Sequence, residues 1–185
     1  MRVISGTMAR RKLQSPPGFD VRPTTDRIKE TLFNILAPRI YGTDFLDLFA
    51  GSGQIGIEAL SRGAESVVFV DDGKTSNDYI KKNLEMFSGT DAKFEVYRMS
   101  AVPAISRLRS FGKKFDIIFM DPPYDKEIER DVLMELDRNR ILKEDGLIIV
   151  EASSKTDFNY IEDTCFEITR EKNYGTNKHI FIAYK

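Results

Sequence analysis

Two hydrophobic periodicities alternate along the chain from residue 44 onward. Short apolar runs predict strands at 45–49, 66–70, 93–97, 115–120 and 147–152. The segments between them predict helices at about 54–62, 75–87, 101–110 and 127–138. Strands that alternate with helices indicate βαβ units and therefore a parallel sheet. Ligands of such sheets bind beyond the carboxyl ends of the strands.

The C-terminal residues break this alternation. Residues 165–171 and 179–184 both predict strands, and the short connection between them leaves no room for a crossover helix. We therefore expect these two strands to be antiparallel. The predicted fold class is α/β, with a doubly wound, mostly parallel sheet and an antiparallel C-terminal strand.

The first 43 residues predict an extension to the sheet domain, which spans 44–185. Two short strands are expected at 2–5 and 11–14. A helix over residues 26–37 is expected because its apolar residues follow the i, i+4, i+7, i+8 pattern. The extension has eight Lys/Arg and three Asp/Glu, a net charge of +5, whereas 20 Lys/Arg and 26 Asp/Glu leave −6 for the rest.

A basic segment ahead of an acidic body is typical of a protein that grips a phosphate-rich polymer at one end. Judged by charge alone, a solvated basic hairpin without a partner fits equally well. The residues that would hold phosphates are Arg2, Arg10, Arg11, Lys12, Arg22 and Arg27.

Composition narrows the class of protein further. A chain of 185 residues with 41% hydrophobic content fits one globular domain. Its apolar runs are far shorter than the roughly 20 residues of a membrane helix, and the first residues lack a secretory signal pattern. We expect a soluble, cytoplasmic monomer. The chain has one cysteine and one histidine, Cys165 and His179, which cannot build a zinc cluster, so no metal is expected. Both lie in predicted terminal strands, where we expect core or edge positions and no catalytic role.

A glycine-rich turn follows the first predicted strand of the sheet domain. Gly51-Ser52-Gly53-Gln54-Ile55-Gly56 matches the G-x-G-x-x-G pattern of dinucleotide-binding turns. Asp71 ends the next strand, where its carboxylate can accept hydrogen bonds from ribose hydroxyls. These features fit NAD and other adenosine cofactors alike.

Asp47, four residues before Gly51, favours one of these cofactors. Beside an NAD pyrophosphate its carboxylate would face like charge, at a cost on the order of 1 to a few kcal/mol. Beside S-adenosylmethionine, which carries an ammonium and a cationic sulfur, the same carboxylate is favourable. An ATP-binding P-loop is disfavoured because no Gly-Lys-Ser/Thr follows the turn.

The sequence Asp121-Pro122-Pro123-Tyr124 follows the strand at 115–120, so it lies at the same edge of the sheet as the glycine turn. The Asp121 carboxylate and the Pro122 carbonyl can accept the two N–H groups of a planar amine and aim its lone pair at a methyl donor. Tyr124 offers a face on which an unstacked base can lie. The stretch predicts methylation of an exocyclic amine.

Several stretches together resemble a known family. LDLFAGSGQIGIEAL, FVDD, FMDPPY, RVISGTMARRKL and RPTTDRIKETLFNIL look like those of RsmD-type bacterial 16S ribosomal RNA guanine-N2 methyltransferases, along nearly the whole chain. The resemblance implies a Rossmann-like class I methyltransferase fold with a seven-stranded sheet. It also implies S-adenosylmethionine as methyl donor, with S-adenosylhomocysteine as product, and a guanine 2-amino group as acceptor. The RNA partner would be 16S rRNA or the assembling small ribosomal subunit.

The resemblance also implies roles for individual residues. Asp47, Gly51 and Gly53 would line the methionine end of the donor, Asp71 its ribose, and Asp121 to Tyr124 would form the catalytic loop. The family often has Glu at the ribose position, which leaves Asp72 as an alternative to Asp71. Met99 and Ser100 stand where such enzymes often place an acidic or amide residue near the adenine amine. The segment Arg22 to Arg27 would pack close to the donor site.

Other functions share part of this pattern. DNA adenine-N6 methyltransferases also use DPPY, but they usually need a separate target-recognition region, and only about 43 residues lie outside the predicted sheet domain. Protein-glutamine methyltransferases more often carry Asn in place of Asp121. A binding-only or NAD-linked protein is the third alternative.

Overall fold

Seven strands form one sheet in a computed structural model of the protein, which describes residues 1–15, 26–123 and 127–185. The strands are β1 (Asp44–Leu48), β2 (Ser66–Asp71), β3 (Lys93–Arg98), β4 (Phe115–Met120), β5 (Leu142–Ser153), β6 (Phe166–Asn173) and β7 (Asn177–Tyr184). Their order is β3-β2-β1-β4-β5-β7-β6, and β1 to β5 pair in parallel. β7 runs antiparallel to both of its neighbours, β5 and β6. The predicted mostly parallel sheet with an antiparallel C-terminal strand is confirmed.

One helix precedes β1, and one follows each of the strands β1 to β4, as the sequence pattern predicts. They are α1 (Asp26–Leu36), α2 (Gln54–Ser61), α3 (Lys74–Leu84), α4 (Ala101–Ser110) and α5 (Ile128–Asn139). Single 3-10 turns span Glu85–Phe87 and Asn159–Asp163. Within the described ranges, no helix is both long and apolar enough to cross a membrane.

The alternation of side chains along the strands gives the sheet two buried faces. One face packs against α4 and α5 through residues such as Leu46, Ile118 and Ile148. The other packs against α1, α2 and α3, with Phe45 and Ile149 among its core residues. Burial on both faces explains why the central strands read as continuous apolar runs in the sequence.

Two predicted strand boundaries differ from the structure. Residues 2–5 and 11–14 pair in antiparallel fashion, with the Val3 N–H donating to the Arg11 carbonyl and the Leu13 N–H to the Met1 carbonyl, but the ladder is limited to one bridge between Arg2 and Lys12. It ends there because the N–H groups of Ile4 and Ser5 donate to Glu58 of α2. Strand β5 begins at Leu142 and not at 147, since Leu142 pairs with Phe115 before the register shifts.

A buried carboxylate fixes the N-terminal extension to the sheet domain. Glu58 of α2 accepts hydrogen bonds from the backbone N–H groups of Ile4 at 2.7 Å and Ser5 at 3.0 Å. Arg62 donates to it at 2.8 Å, and the buried Lys29 lies 3.7 Å away. Because Val3 and Leu13 of the extension are buried in the same cluster as α1 and α2, the extension shares its core with the sheet domain.

We predict that Glu58→Gln lowers the free energy of unfolding by about 3 kcal/mol, because a buried ion pair that loses one partner leaves uncompensated groups. The exposed Glu30→Gln on α1 is the matched control and should change stability little. Urea unfolding of both variants measures the effect. An unchanged midpoint for Glu58→Gln would show that the carboxylate does not hold the extension.

Candidate active site

The glycine turn connects β1 to α2 in a conformation that needs its glycines. Gly51 and Gly53 have φ values of 58° and 82°, in the left-handed region that side chains rarely adopt. A Cβ on Gly56 would lie 2.3 Å from the Phe69 ring, so the third glycine lets α2 pack on β2. Gly51 and Gly53 therefore permit the tight turn, and Gly56 permits close packing of the helix on the strand.

Asp71 holds the glycine turn from the end of β2. Its Oδ2 accepts a hydrogen bond from the Gly51 N–H at 2.8 Å, and its Oδ1 accepts one from the Gly73 N–H at 2.9 Å. The neighbouring Asp72 is exposed. Of the two candidates for the ribose contact, Asp71 is thus the one in contact with the turn, and its oxygens keep lone pairs for a further donor.

Met99 and Ser100 lie beside Asp71. The Met99 N–H donates to the Asp71 carbonyl at 3.1 Å, which places the end of β3 next to the end of β2. Met99 is half-buried, and the exposed Ser100 precedes α4. Their contact with an adenine stays a prediction, although both stand at the expected edge of the sheet.

Asp47 lies beneath the turn. It is 1% exposed, and its Oδ2 accepts a hydrogen bond from the Gly56 N–H at 2.9 Å. Burial raises the pKa of this carboxyl to about 7, although the Gly56 hydrogen bond lowers it and the charge of Asp71 adds to the rise. The action of Asp47 on a methyl donor stays a prediction.

Asp121 stands at the end of β4, with its side chain half-buried. Burial raises the pKa of its carboxyl well above the usual range, and the nearby charges of Glu151 and Asp47 raise it further. Pro122 is buried and Pro123 is exposed. Tyr124 lies outside the described residues, as does Arg22.

Asp71, Asp47 and Asp121 share one face at one edge of the sheet. Asp47 pairs in register with Phe69 of β2 and with Phe119 of β4. Asp71 and Asp121 each follow their Phe by two residues, and side chains two apart point to the same face. We call these three side chains the carboxylate row.

The carboxylate row differs from the acids at the opposite edge of the sheet. There, the Nζ of Lys143 lies 2.8 Å from carboxylate oxygens of both Asp44 and Asp116 and forms an ion pair with each. In the part of the chain that the structure describes, no Lys or Arg forms an ion pair with the carboxylate row. Nor do the described residues contain three metal-binding side chains grouped to hold an ion.

Sequence reasoning missed two polar side chains at this edge, Gln54 and Glu151. The Oε1 of Gln54, the first residue of α2, is buried without a hydrogen-bond partner among the described residues. Glu151 of β5 is buried and faces the equally buried His179 of β7. The signal for Glu151 was a single acid inside the apolar run LIIVEA, whereas nothing in the sequence separates Gln54 from other polar residues of helix N-termini.

The basic residues of the extension lie on the surface. Arg10, Arg11, Lys12 and Arg27 are exposed. Arg2 is exposed too, and its Nε lies 3.1 Å from Asp26 of α1. These positions leave the side chains accessible to a large anionic partner, and their contact with RNA stays a prediction.

Comparison with known proteins places this chain in a family. Residues 1–183 match the family described as Conserved hypothetical protein 95. The Ribosomal RNA small subunit methyltransferase D of Haemophilus influenzae is 37% identical over 175 residues, which cover 95% of this chain and 89% of that protein. The solved structure of yhhF from Escherichia coli superposes with a TM-score of 0.86 at 32% identity, covering 100% of this chain and 98% of the other.

A more distant solved structure shares the fold and contains a ligand. SMU.776, crystallised in complex with SAH, matches with a TM-score of 0.65 at 20% identity, covering 83% of this chain and 48% of the other. Together, the sheet order and these neighbours define a Rossmann-like class I methyltransferase fold. The chain belongs to the family of RsmD-type ribosomal RNA small-subunit methyltransferases, which confirms the resemblance drawn from its motifs.

We predict that Asp47→Asn makes the ligand-free protein more stable above pH 7. The pKa of this carboxyl is about 7 in the folded protein, whereas its ordinary value is 3.8, so the folded state binds more protons than the unfolded state between these values. The wild-type protein therefore loses stability as the pH rises from about 4 to about 7. Asn cannot ionise and avoids this loss, on the order of 1 to 4 kcal/mol. Thermal unfolding at pH 4 and pH 8 measures it, and an equal difference at both pH values would contradict the assignment.

Proposed function

We propose that this chain methylates the exocyclic N2 amine of a guanine in 16S rRNA, with S-adenosylmethionine as methyl donor. The observation that supports this most strongly is the position of Asp121, at the same edge and on the same face of the sheet as the two acids beneath the glycine turn. A methyl acceptor held by Asp121 and a donor held by the turn would be neighbours. An rRNA substrate would place the enzyme in the cytoplasm.

The residues at the glycine turn fit S-adenosylmethionine. A Cβ on Gly51 would meet nothing within 4 Å, so this side of the turn is open to a ligand. The Gln54 Oε1, which has no hydrogen-bond partner among the described residues, is an acceptor that an ammonium could satisfy. Asp71 would hold the ribose, and the charge of Asp47 would favour the cationic end. When bound, S-adenosylmethionine supplies an electrophilic methyl group on a positively charged sulfur.

Charge argues against the dinucleotide alternative. A pyrophosphate above the turn would face Asp47 and Asp71, and the described residues bring no Lys or Arg into an ion pair with either. Like charges at such distances repel by about 1 to 4 kcal/mol, depending on solvent access. A cationic ligand at the same place would be attracted by the two carboxylates with a comparable energy.

Asp121 and Pro122 would orient the amine. A planar exocyclic amine is a weak nucleophile while its lone pair is delocalised into the ring. The Asp121 carboxylate and the Pro122 carbonyl can each accept one of its N–H groups, which holds the nitrogen toward a pyramidal shape. The buried Pro122 limits movement of this carbonyl. The amine becomes acidic once methylated, so Asp121 needs only moderate basicity to accept the proton.

The basic extension would position the RNA. Arg2, Arg10, Arg11 and Lys12 are exposed on a segment fixed to α2, and α2 begins at the glycine turn. Contacts to phosphates add affinity without base specificity. The target base would be taken out of its stack to reach Asp121, with Tyr124 proposed as its stacking partner.

Transfer of labelled methyl groups to 16S rRNA tests the proposal. Free 16S rRNA and small-subunit particles are incubated with the enzyme, and the digested RNA is analysed by mass spectrometry. We expect N2-methylguanine from at least one of the two substrates. N6-methyladenine in the digest would instead support adenine specificity, and absence of label from both RNA substrates would contradict an rRNA function.

We predict that Asp121→Ala lowers kcat by at least about a hundredfold, because the amine loses its main acceptor and its proton acceptor. The dissociation constant of S-adenosylhomocysteine should change little, since the turn is intact. Single-turnover kinetics and calorimetry measure the two quantities. Loss of ligand binding with normal turnover at saturation would refute the role of Asp121.

We predict that neutralising Arg10, Arg11 and Lys12 together weakens RNA binding and lowers the slope of log Kd against log salt by about two. The matched control neutralises three exposed bases, Arg39, Arg109 and Lys114, which lie toward the opposite edge of the sheet. Filter binding at several salt concentrations measures both slopes. An unchanged slope for the first triple variant would contradict the proposed RNA surface.

A further inference from the structure

Glu151, like Asp71, has a polar partner at each carboxylate oxygen. This buried side chain of β5 uses both carboxylate oxygens: Asn177 Nδ2 donates to Oε1 at 2.7 Å, and His179 Nε2 lies 3.1 Å from Oε2. Both partners belong to β7, where His179 pairs in register with Glu151 itself. Two polar contacts from one strand fix the plane of the carboxylate.

His179 is fixed in turn on all sides. Its ring is fully buried, and its Nδ1 lies 3.1 Å from the Tyr174 hydroxyl. Phe119 of β4 presents its ring edge-on, with 6.1 Å between centroids. Burial and the charge of Glu151 raise the pKa of Tyr174 to about 12, so this hydroxyl stays protonated near neutral pH. Such a network limits the positions that Glu151 can adopt.

Glu151 extends the carboxylate row by one strand. Met120, the last residue of β4, pairs with Val150 of β5; Asp121 directly follows β4, and Glu151 is the next residue of β5. Residues adjacent across a parallel ladder share a face and lie about 5 Å apart. Glu151 is therefore the nearest charged neighbour of Asp121 on that side, with Asp47 on the other.

The proposed reaction requires a proton acceptor beside the amine. The C–S bond of the donor breaks, the amine nitrogen forms the N–C bond, and the methylated nitrogen carries a positive charge. Its N–H bond then breaks, the electron pair stays on nitrogen, and an Asp121 oxygen takes the proton. A fixed negative charge next to Asp121 favours this last transfer.

We propose that Glu151, fixed by Asn177 and His179, is a positioning residue that acts through Asp121 and makes it the acceptor of the proton released by the target amine. This inference rests on the proposed methyl transfer. The groups that act on Asp121 are Asp47 from β1 and Glu151 from β5, with Asp71 on β2 and His179 on β7 beyond them. Removal of the charge of Glu151 leaves the other groups in place.

Glu151→Gln tests the inference, because it keeps the shape and removes the charge. The first readout needs no turnover: the titration midpoint of Asp121 in the ligand-free protein, followed by carbon NMR and assigned with Asp121→Asn. We expect this midpoint to fall by about 1 pH unit. The acid limb of the pH profile of kcat should move to lower pH by the same amount, because ionised Asp121 persists to lower pH. On the plateau of the profile, kcat should fall about tenfold, while the KM for RNA stays within about twofold of the wild-type value.

His179→Gln is the second variant, and it should lower the titration midpoint of Asp121 by a smaller amount than Glu151→Gln does. Glu167→Gln, at an exposed acid of β6, is the control that should match the wild-type protein. A wild-type Asp121 midpoint and acid limb in Glu151→Gln would overturn the inference, even if kcat fell, because Glu151 would then only stabilise the fold. Failure of the wild-type protein to methylate RNA would instead refute the proposed function, while the titration would still decide whether Glu151 acts on Asp121.

Discussion

Adjacent parallel strands end at the same edge of the sheet, and in this protein three of them bring a carboxylate to the same face there. Like charges in such proximity are costly unless hydrogen bonds or an opposite charge stabilise them. Backbone N–H groups provide part of this stabilisation: those of Gly51 and Gly56 in the glycine turn donate to Asp71 and Asp47, and that of Gly73, before α3, donates to Asp71. The shape of the turn and the positions of the acids therefore depend on each other.

The two edges of the sheet treat their acids differently. At the amino edge Lys143 neutralises Asp44 and Asp116, as expected for groups that only support the fold. At the carboxyl edge the pKa values of Asp47 and Asp121 are raised, since burial is not offset by a lysine or arginine among the described residues. Stability given up at one edge is typical of a ligand site. The sign of the charge favours a cationic donor over a dinucleotide.

The sequence predicted the order and type of most elements because the central strands are buried on both faces and the helices are amphipathic. It failed for the length of the two strands of the extension, because the N–H groups of Ile4 and Ser5 donate to Glu58 and the pairing does not continue beyond the Arg2–Lys12 bridge. The site residues on strand ends were predictable from motif position. The depth of Asp47 and the contact between Glu151 and His179 were not, because they depend on which residues face each other across strands distant in sequence.

We infer that the carboxylate row prepares this edge for a cation, and proton release on donor binding tests this inference. Calorimetry at pH 6.5, in buffers with different heats of ionisation, counts the protons released when S-adenosylmethionine binds. A cation lowers the pKa of nearby carboxyls, so we expect net release, and less of it for S-adenosylhomocysteine, whose sulfur is neutral. Net proton uptake, or equal release with both ligands, would show that the charge of the carboxylate row does not favour the donor.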